Sequence, residues 1–170
     1  MSATLEDITY VLPPTLISRA DVARLVLEVE YVDNELEAQK ARAGEGEVHY
    51  NVPVLSHALD DFVSLNQIDL TSPEQRGELK QKLRTLKDKA PSLHFTFAVE
   101  ADQAFLQDLA KWVREQIHKQ ALIATGLQPS LAGGTILRTP NHQHDFSLRE
   151  LLVKNRESLV HQLDSLHAAG

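Results

Sequence analysis

The sequence contains no cysteine, so neither a disulfide framework nor a thiolate metal site can form. That absence fits a reducing compartment. Aromatic residues are scarce, at 5%, which leaves Leu, Val, Ile and Ala to build the core. Basic residues are outnumbered: 17 Lys and Arg against 24 Asp and Glu give a net charge of −7. No local cluster of basic residues offsets this charge. Phosphate backbones are repelled, and nucleic-acid binding is not expected. Long hydrophobic runs are also missing; none approaches the roughly 18–20 apolar residues that span a bilayer. Residues Met1 to Asp7 carry acids and no apolar core, unlike a signal peptide. The expectation is a soluble chain that reaches a membrane only through a partner.

What is present divides into two regions, 1–90 and 91–170. The first reads as about three helices. Pro13 and Pro14 keep the early chain extended. Ser18, with Asp21 three residues on, marks a helix start, although Glu or Gln is the usual return partner. The helix is predicted from Arg19 to Arg42, with Val22, Leu25, Val26, Val29, Val32 and Leu36 at helical spacing. This seam can pack on the next two helices or along a separate helix. Glu28, Glu30, Asp33, Glu35 and Glu37 are expected on its solvated face. A second helix is predicted from Pro53 to Leu65, burying Leu55, Leu59, Phe62 and Val63. Ser72 followed by Pro73 opens a third, with Leu79, Leu83 and Leu86 inside and Lys87 and Lys89 suiting its C-terminal dipole.

The second region changes period. Leu93, Phe95 and Phe97 alternate with His94, Thr96 and Ala98, which is strand spacing, with His94 on a wet side. A helix follows from Gln103 to Lys119, capped by Asp102. Phe105, Leu106, Leu109, Val113 and Ile117 are expected inside, with Trp112 packing beside them. Strands are expected at Ala121–Leu127 and Leu131–Thr139. Ser147 with Glu150 forms a capping box for the last helix, whose apolar side carries Leu148, Leu151, Leu152, Leu159, Leu163 and Leu166. The predicted class is α+β: a helical region, then strand, helix, strand, strand and helix with a three-stranded sheet.

Nothing in either region reads as catalytic. There is no GxSxG, and Ser147 is accounted for as a cap. Gly126, Gly133 and Gly134 lack the spacing and the lysine of a phosphate-binding loop, and no cofactor motif is present.

The stretch Ser130-Leu-Ala-Gly-Gly-Thr-Ile-Leu-Arg138, then Asp145-Phe-Ser-Leu-Arg149, then Leu151 and Leu152, resembles the delta subunit of F-type ATP synthases. The oligomycin-sensitivity protein is that family's mitochondrial member. The family pattern has a small residue and a glycine, a short strand and an arginine. After a turn, Asp-x-Ser-x-Arg opens the final helix. The matching positions are Gly133, Gly134, Arg138, Asp145, Ser147 and Arg149, and the element order from Leu93 to Leu127 agrees. Their physical reading is architectural. The glycines permit close backbone approach, Asp145 can pair with Arg138 or Arg149, and Ser147 caps.

The resemblance implies a non-catalytic stator subunit. Such a subunit joins the catalytic head of the synthase to the peripheral stalk through the end of the b-subunit helices. It would lie in the cytoplasm, on the inner face of the cell membrane. Leu159, Leu163 and Leu166 are the expected b-subunit contacts, whereas Leu148 and Leu152 are expected to be buried on the strands. The family's N-terminal domain is a six-helix bundle that holds alpha-subunit peptides. Room here for about three helices leaves alpha contact open. A free-standing adaptor carrying a delta-like domain is the alternative. A remoter one is metal binding through His142, His144 and Asp145: two imidazoles at i and i+2 beside a carboxylate can hold a divalent ion. No HExxH or cysteine pair completes that set, and the resemblance assigns the stretch to a hairpin tip.

Overall fold

A computed structural model describes residues 10–43, 50–139, 141–156 and 160. Its elements run α1 (Arg19–Ala43), α2 (His57–Asn66), α3 (Pro73–Lys89), β1 (Ser92–Phe97), α4 (Gln103–Gln116) and β2 (Leu122–Leu127). A 3-10 turn (Pro129–Leu131), β3 (Thr135–Arg138), β4 (Gln143–Asp145) and α5 (Leu148–Lys154) complete them. The class is mixed α+β, as expected. Two compact units form: Met1–Pro91 with Ala104–Leu122, and Ser92–Gln103 with Ile123–Gly170. No described helix is long and apolar enough to cross a membrane.

In the helical unit, α1 begins where its cap predicts. Asp21 Oδ2 accepts from the N–H and the hydroxyl of Ser18, both at 2.8 Å, and Ser18 Oγ accepts from the Asp21 N–H at 3.3 Å. Aspartate thus fills the return role that glutamate or glutamine usually takes. All six residues of the predicted α1 stripe are buried. They join Leu59 and Phe62 of α2, Leu79, Leu83 and Leu86 of α3, and Leu12, Leu16 and Leu70 in one core. The α1 seam is therefore filled from within the chain.

Two boundaries move. α2 starts at His57 rather than Pro53, because Ser56 is its N-cap: the hydroxyl accepts from the Leu59 N–H at 3.3 Å. Glu28 fixes that cap, taking the Ser56 N–H at 2.5 Å and its hydroxyl at 2.6 Å. Leu55 and Val63 pack against the core only in part. α4 stops at Gln116, where the N–H groups of Ile117 and His118 both turn back to the Val113 carbonyl. Its buried residues are Ala110 and Val113. The inner face is rotated towards Ala110, which leaves Phe105, Trp112 and Ile117 about half exposed.

The acids of α1 also depart from expectation. Asp33 and Glu37 face α3, where they hold a fully buried arginine, Arg76. Arg76 Nε donates to Asp33 Oδ1 at 2.6 Å and Nη2 to Glu37 Oε1 at 2.8 Å. Nη1 donates to the carbonyls of Leu70 and Thr71 at 2.9 and 3.0 Å. Lys80 pairs with the same Asp33, and Arg84 with Glu30. A buried guanidinium requires such partners, because an unpaired charge in the interior costs several kcal/mol. Partial burial pushes the Asp33 carboxyl up, but hydrogen bonds from Lys80 and Arg76 outweigh it and hold the group below the usual carboxylate range.

The second unit is built on a sheet of order β2-β1-β3-β4. β1 and β3 are antiparallel, with Phe95 opposite Leu137 and Thr96 opposite Ile136. The strand expected from Leu131 begins only at Thr135. Pro129 opens a 3-10 turn, and Ala132 and Gly134 take positive φ of 58° and 83°, which interrupts extension. β4 is a fourth strand, lying in the stretch expected to be a turn. Its register sets Asp145 opposite Ile136 and His144 opposite Leu137. The hairpin is closed by Thr139, whose N–H donates to the His142 carbonyl at 2.8 Å.

Candidate functional site

The six residues of the Gly133–Arg149 pattern converge where β3 and β4 meet the start of α5. Gly134 is the tightest point. A Cβ there would fall 2.3 Å from the Phe146 carbonyl oxygen and 2.9 Å from the Ser147 Cα, and the φ of 83° disfavours any side chain. Gly133 accepts from the Leu148 N–H at 3.0 Å, and the Phe146 N–H donates to the Thr135 carbonyl at 2.9 Å. The glycines therefore let the chain before β3 lie directly against the first residues of α5.

Ser147 caps α5, accepting from the Glu150 N–H at 3.3 Å. The return half of the box is taken by Asp145, whose Oδ1 accepts from the Ser147 N–H at 2.8 Å, while Glu150 pairs with Lys154 at 3.4 Å. This corrects the expected pairing of Asp145 with an arginine: Arg138 Nε donates instead to Gln143 Oε1 at 2.9 Å, its cross-strand neighbour. Hydrogen bonds from Ser147 hold the Asp145 carboxyl below the usual carboxylate range, with smaller contributions from Lys154 and Arg149.

The histidines do not assemble a metal centre with Asp145. Alternation along β4 puts His144 on one face and Asp145 on the other. The His142 and His144 ring centroids lie 6.3 Å apart, and His144 stacks on Phe146 at 6.1 Å. Among the described residues, no group of three or more His, Asp or Glu side chains stands close enough to hold a metal ion.

The apolar residues of α5 are the second departure. Leu148 and Leu152, expected against the strands, are 48% and 50% exposed, and no residue of α5 is buried. The cap and the Gly134 contact fix where α5 starts, and Leu148 lies beside Gly133, but the α5 leucines are left about half exposed. Leu159, Leu163 and Leu166 lie outside the described residues. The described part of α5 walls an open groove of about 380 Å³, whose other wall is the turn Ser130, Leu131 and Ala132. Arg149 and Arg156 flank it. The sequence reading missed this groove. Its signal was the Leu151-Leu152-Val153 run, which continues apolar past the width of one stripe.

The helical unit holds a second feature that sequence reasoning missed. Arg114 of α4 donates to the carbonyls of Leu12, Pro13 and Leu16 and, through Nε at 3.2 Å, to that of Ala121. Burial lowers its pKa to about 10, still leaving it charged at neutral pH. It ties the extended segment before α1 to α4, beside a cavity of about 690 Å³.

No protein-family model matches the chain. Over 87 residues, 51% of its length, the chain is 30% identical to ATP synthase subunit delta of Teredinibacter turnerae. The aligned part is 49% of that protein, so the chain spans about half the length of the curated relative it matches. Over that half, the chain is related to the delta subunit of ATP synthase.

Proposed function

We propose that the chain is a non-catalytic stator subunit of a rotary ATP synthase, linking the catalytic head to the b-subunit stalk during proton-driven synthesis. The observation that carries this reading is the 30% identity to a delta subunit over half the chain. The geometry supports it by what it builds. The Gly133–Arg149 pattern makes a rigid sheet-to-helix corner, and α5 presents apolar side chains outward. A torque-resisting link needs rigid elements and an exposed docking surface, and it needs no chemistry of its own. Association with the inner face of the membrane would then come through the complex. The domain division at residue 90 belongs to this reading, with 91–170 as the delta-like domain. Leu159, Leu163 and Leu166 remain the proposed b-subunit contacts.

The test is affinity purification of the tagged full chain from its native cells in mild detergent. Co-purification of b together with head subunits is expected. Recovery of unrelated proteins with no synthase subunit refutes the stator role and favours the free-standing adaptor. Substituting Leu163→Asp should weaken b recovery; full recovery would remove that residue from the contact.

A further inference from the structure

The extended segment before α1 is fixed from two sides. Asn66 of α2 accepts from the Val11 N–H at 2.8 Å and donates its amide to the Val11 carbonyl at 3.0 Å. Arg114 of α4 takes the carbonyls of Leu12, Pro13 and Leu16. The Tyr10 ring meets Phe62 edge-on at 5.5 Å, and the Lys82 ammonium stands 4.8 Å from its centre. With the carbonyls of Val11, Leu12 and Pro13 satisfied inside the chain, the segment gives an apolar wall of Tyr10, Val11, Leu12 and Pro14 to the cavity of about 690 Å³ beside it. Such a wall is preformed, so a ligand has little to order on binding.

The opposite wall is charged. Lys111, Arg114 and Glu115 of α4 form it, with Lys119 and Gln120 just beyond the helix end. Arg114 is committed to the carbonyls. Glu115 stands four residues from each lysine, yet neither Lys111 nor Lys119 makes an ion pair among the described residues. Behind Tyr10, Lys82 and Glu78 pair at 2.5 Å and add no net charge. The lining therefore sets three cations against one carboxylate, in a chain of net charge −7. The C-terminal end of α4 contributes about half a negative charge, which leaves the excess positive.

The cavity lies within the range of about 300–1,000 Å³ of small-molecule sites. An apolar wall facing two ammonium groups fits a ligand with an apolar body and one anionic end. A bare inorganic anion would leave the Tyr10–Pro14 wall uncovered. We propose that this cavity binds a small amphiphilic carboxylate, its acyl or aryl body on Tyr10, Val11 and Pro14 and its carboxylate at Lys111 and Lys119. The inference concerns the helical unit alone and does not depend on the stator reading. Residues 1–9, which precede Tyr10 in the chain and include Glu6 and Asp7, are the competing occupant.

The experiment titrates the full chain with octanoate, octanol and octylammonium at low salt and follows backbone amide shifts by NMR. Octanoate should bind about fivefold or more tighter than octanol, and octanol tighter than octylammonium. The amides of Val11, Leu12, Lys111 and Gln120 should shift most. The double variant Lys111→Glu/Lys119→Glu, at two exposed positions, should reverse the order of octanoate and octylammonium. Val11→Ser, at a side chain 58% exposed, should weaken octanoate and octanol alike. Equal binding of octanoate and octanol, shifts confined to other residues, or an unaffected double variant would overturn the proposal. Absence of octanoate binding overturns it as well; if the variant Glu6→Lys/Asp7→Lys then admits octanoate, the chain's own residues 1–9 are the occupant.

Discussion

Arg76→Met tests the logic of the helical unit. Methionine keeps much of the side-chain length but removes every donor. Three losses follow. The carbonyls of Leu70 and Thr71 lose hydrogen bonds of 2.9 and 3.0 Å, at about 1 kcal/mol each. Asp33, whose side chain is only 19% exposed, loses one of its two cationic partners and keeps Lys80, a charge-assisted loss of about 1.5–3 kcal/mol. Glu37 is half exposed and returns to water, so its part is about 0–1 kcal/mol. The total is about 3.5–6 kcal/mol, which overlaps the range of about 3–5 kcal/mol for breaking a buried pair. Urea unfolding of the full chain measures it. The single tryptophan, Trp112, lies on α4 and reports on the helical unit. With a denaturant slope of about 2 kcal/mol per molar, the midpoint should fall by about 2–3 M. Arg84→Met is the control: the Arg84–Glu30 pair is largely exposed and its loss should cost under about 1 kcal/mol. If Arg76→Met costs no more than the control, the buried arginine does not organise the α1–α3 contact and the reasoning fails.

Asp33 gives a pH signature: its native carboxyl lies below its unfolded value, so its contribution is complete above the ordinary carboxylate range and is lost as pH falls through the native pKa. Unfolding followed from pH 7 to acid should show a flatter acid limb in Asp33→Asn. Gly134→Ala forces a Cβ onto the Phe146 backbone and should cost about 2–3 kcal/mol in thermal unfolding; a loss under about 0.5 kcal/mol would mean that α5 is not pinned there. Ser56→Ala removes a cap and the Glu28 contact together and should cost about 1–2 kcal/mol, more than Ser147→Ala at about 1 kcal/mol, by the same measurement. Arg114→Lys should speed amide exchange at Leu16, because a single ammonium cannot serve four carbonyls; unchanged exchange would refute the tether.

Much of the helical unit was legible because its core follows one period. The α1 stripe from Val22 to Leu36 and the α3 stripe from Leu79 to Leu86 recur at helical spacing, and their caps are local. Arg76 was missed because the reading followed only apolar residues, although it sits three residues before Leu79, in line with that stripe. Asp33 and Glu37, spaced i and i+4, are the acids that answer it. Charge pattern alone cannot tell a solvated acid from one facing a buried arginine on a distant helix. The sheet unit was legible in order but not in extent. Ala132 and Gly134 adopt positive φ within what reads as a continuous strand, and β4 is too short, at three residues, to show a period. The exposure of α5 was illegible for a third reason. A leucine stripe records that some surface covers it and not which chain supplies that surface.

These distinctions separate two kinds of residue within the stretch that first suggested the family. Gly134, Asp145 and Ser147 spend their contacts on the chain itself: a backbone approach, an acceptor for the Ser147 N–H, and a cap. Arg138 belongs with them through Gln143. Arg149 differs: it acts on Asp145 only through a weak electrostatic attraction and stands with Arg156 at the groove. The pattern is therefore mixed. Gly133, Gly134, Asp145 and Ser147 fix the origin of α5, Arg138 ties β3 to β4, and Arg149 lines the groove beside α5. Variants of the first kind should act on stability and lower binding only by displacing α5. Variants at Arg149 should leave stability unchanged and act on recognition, so the two measurements together sort each residue into its role.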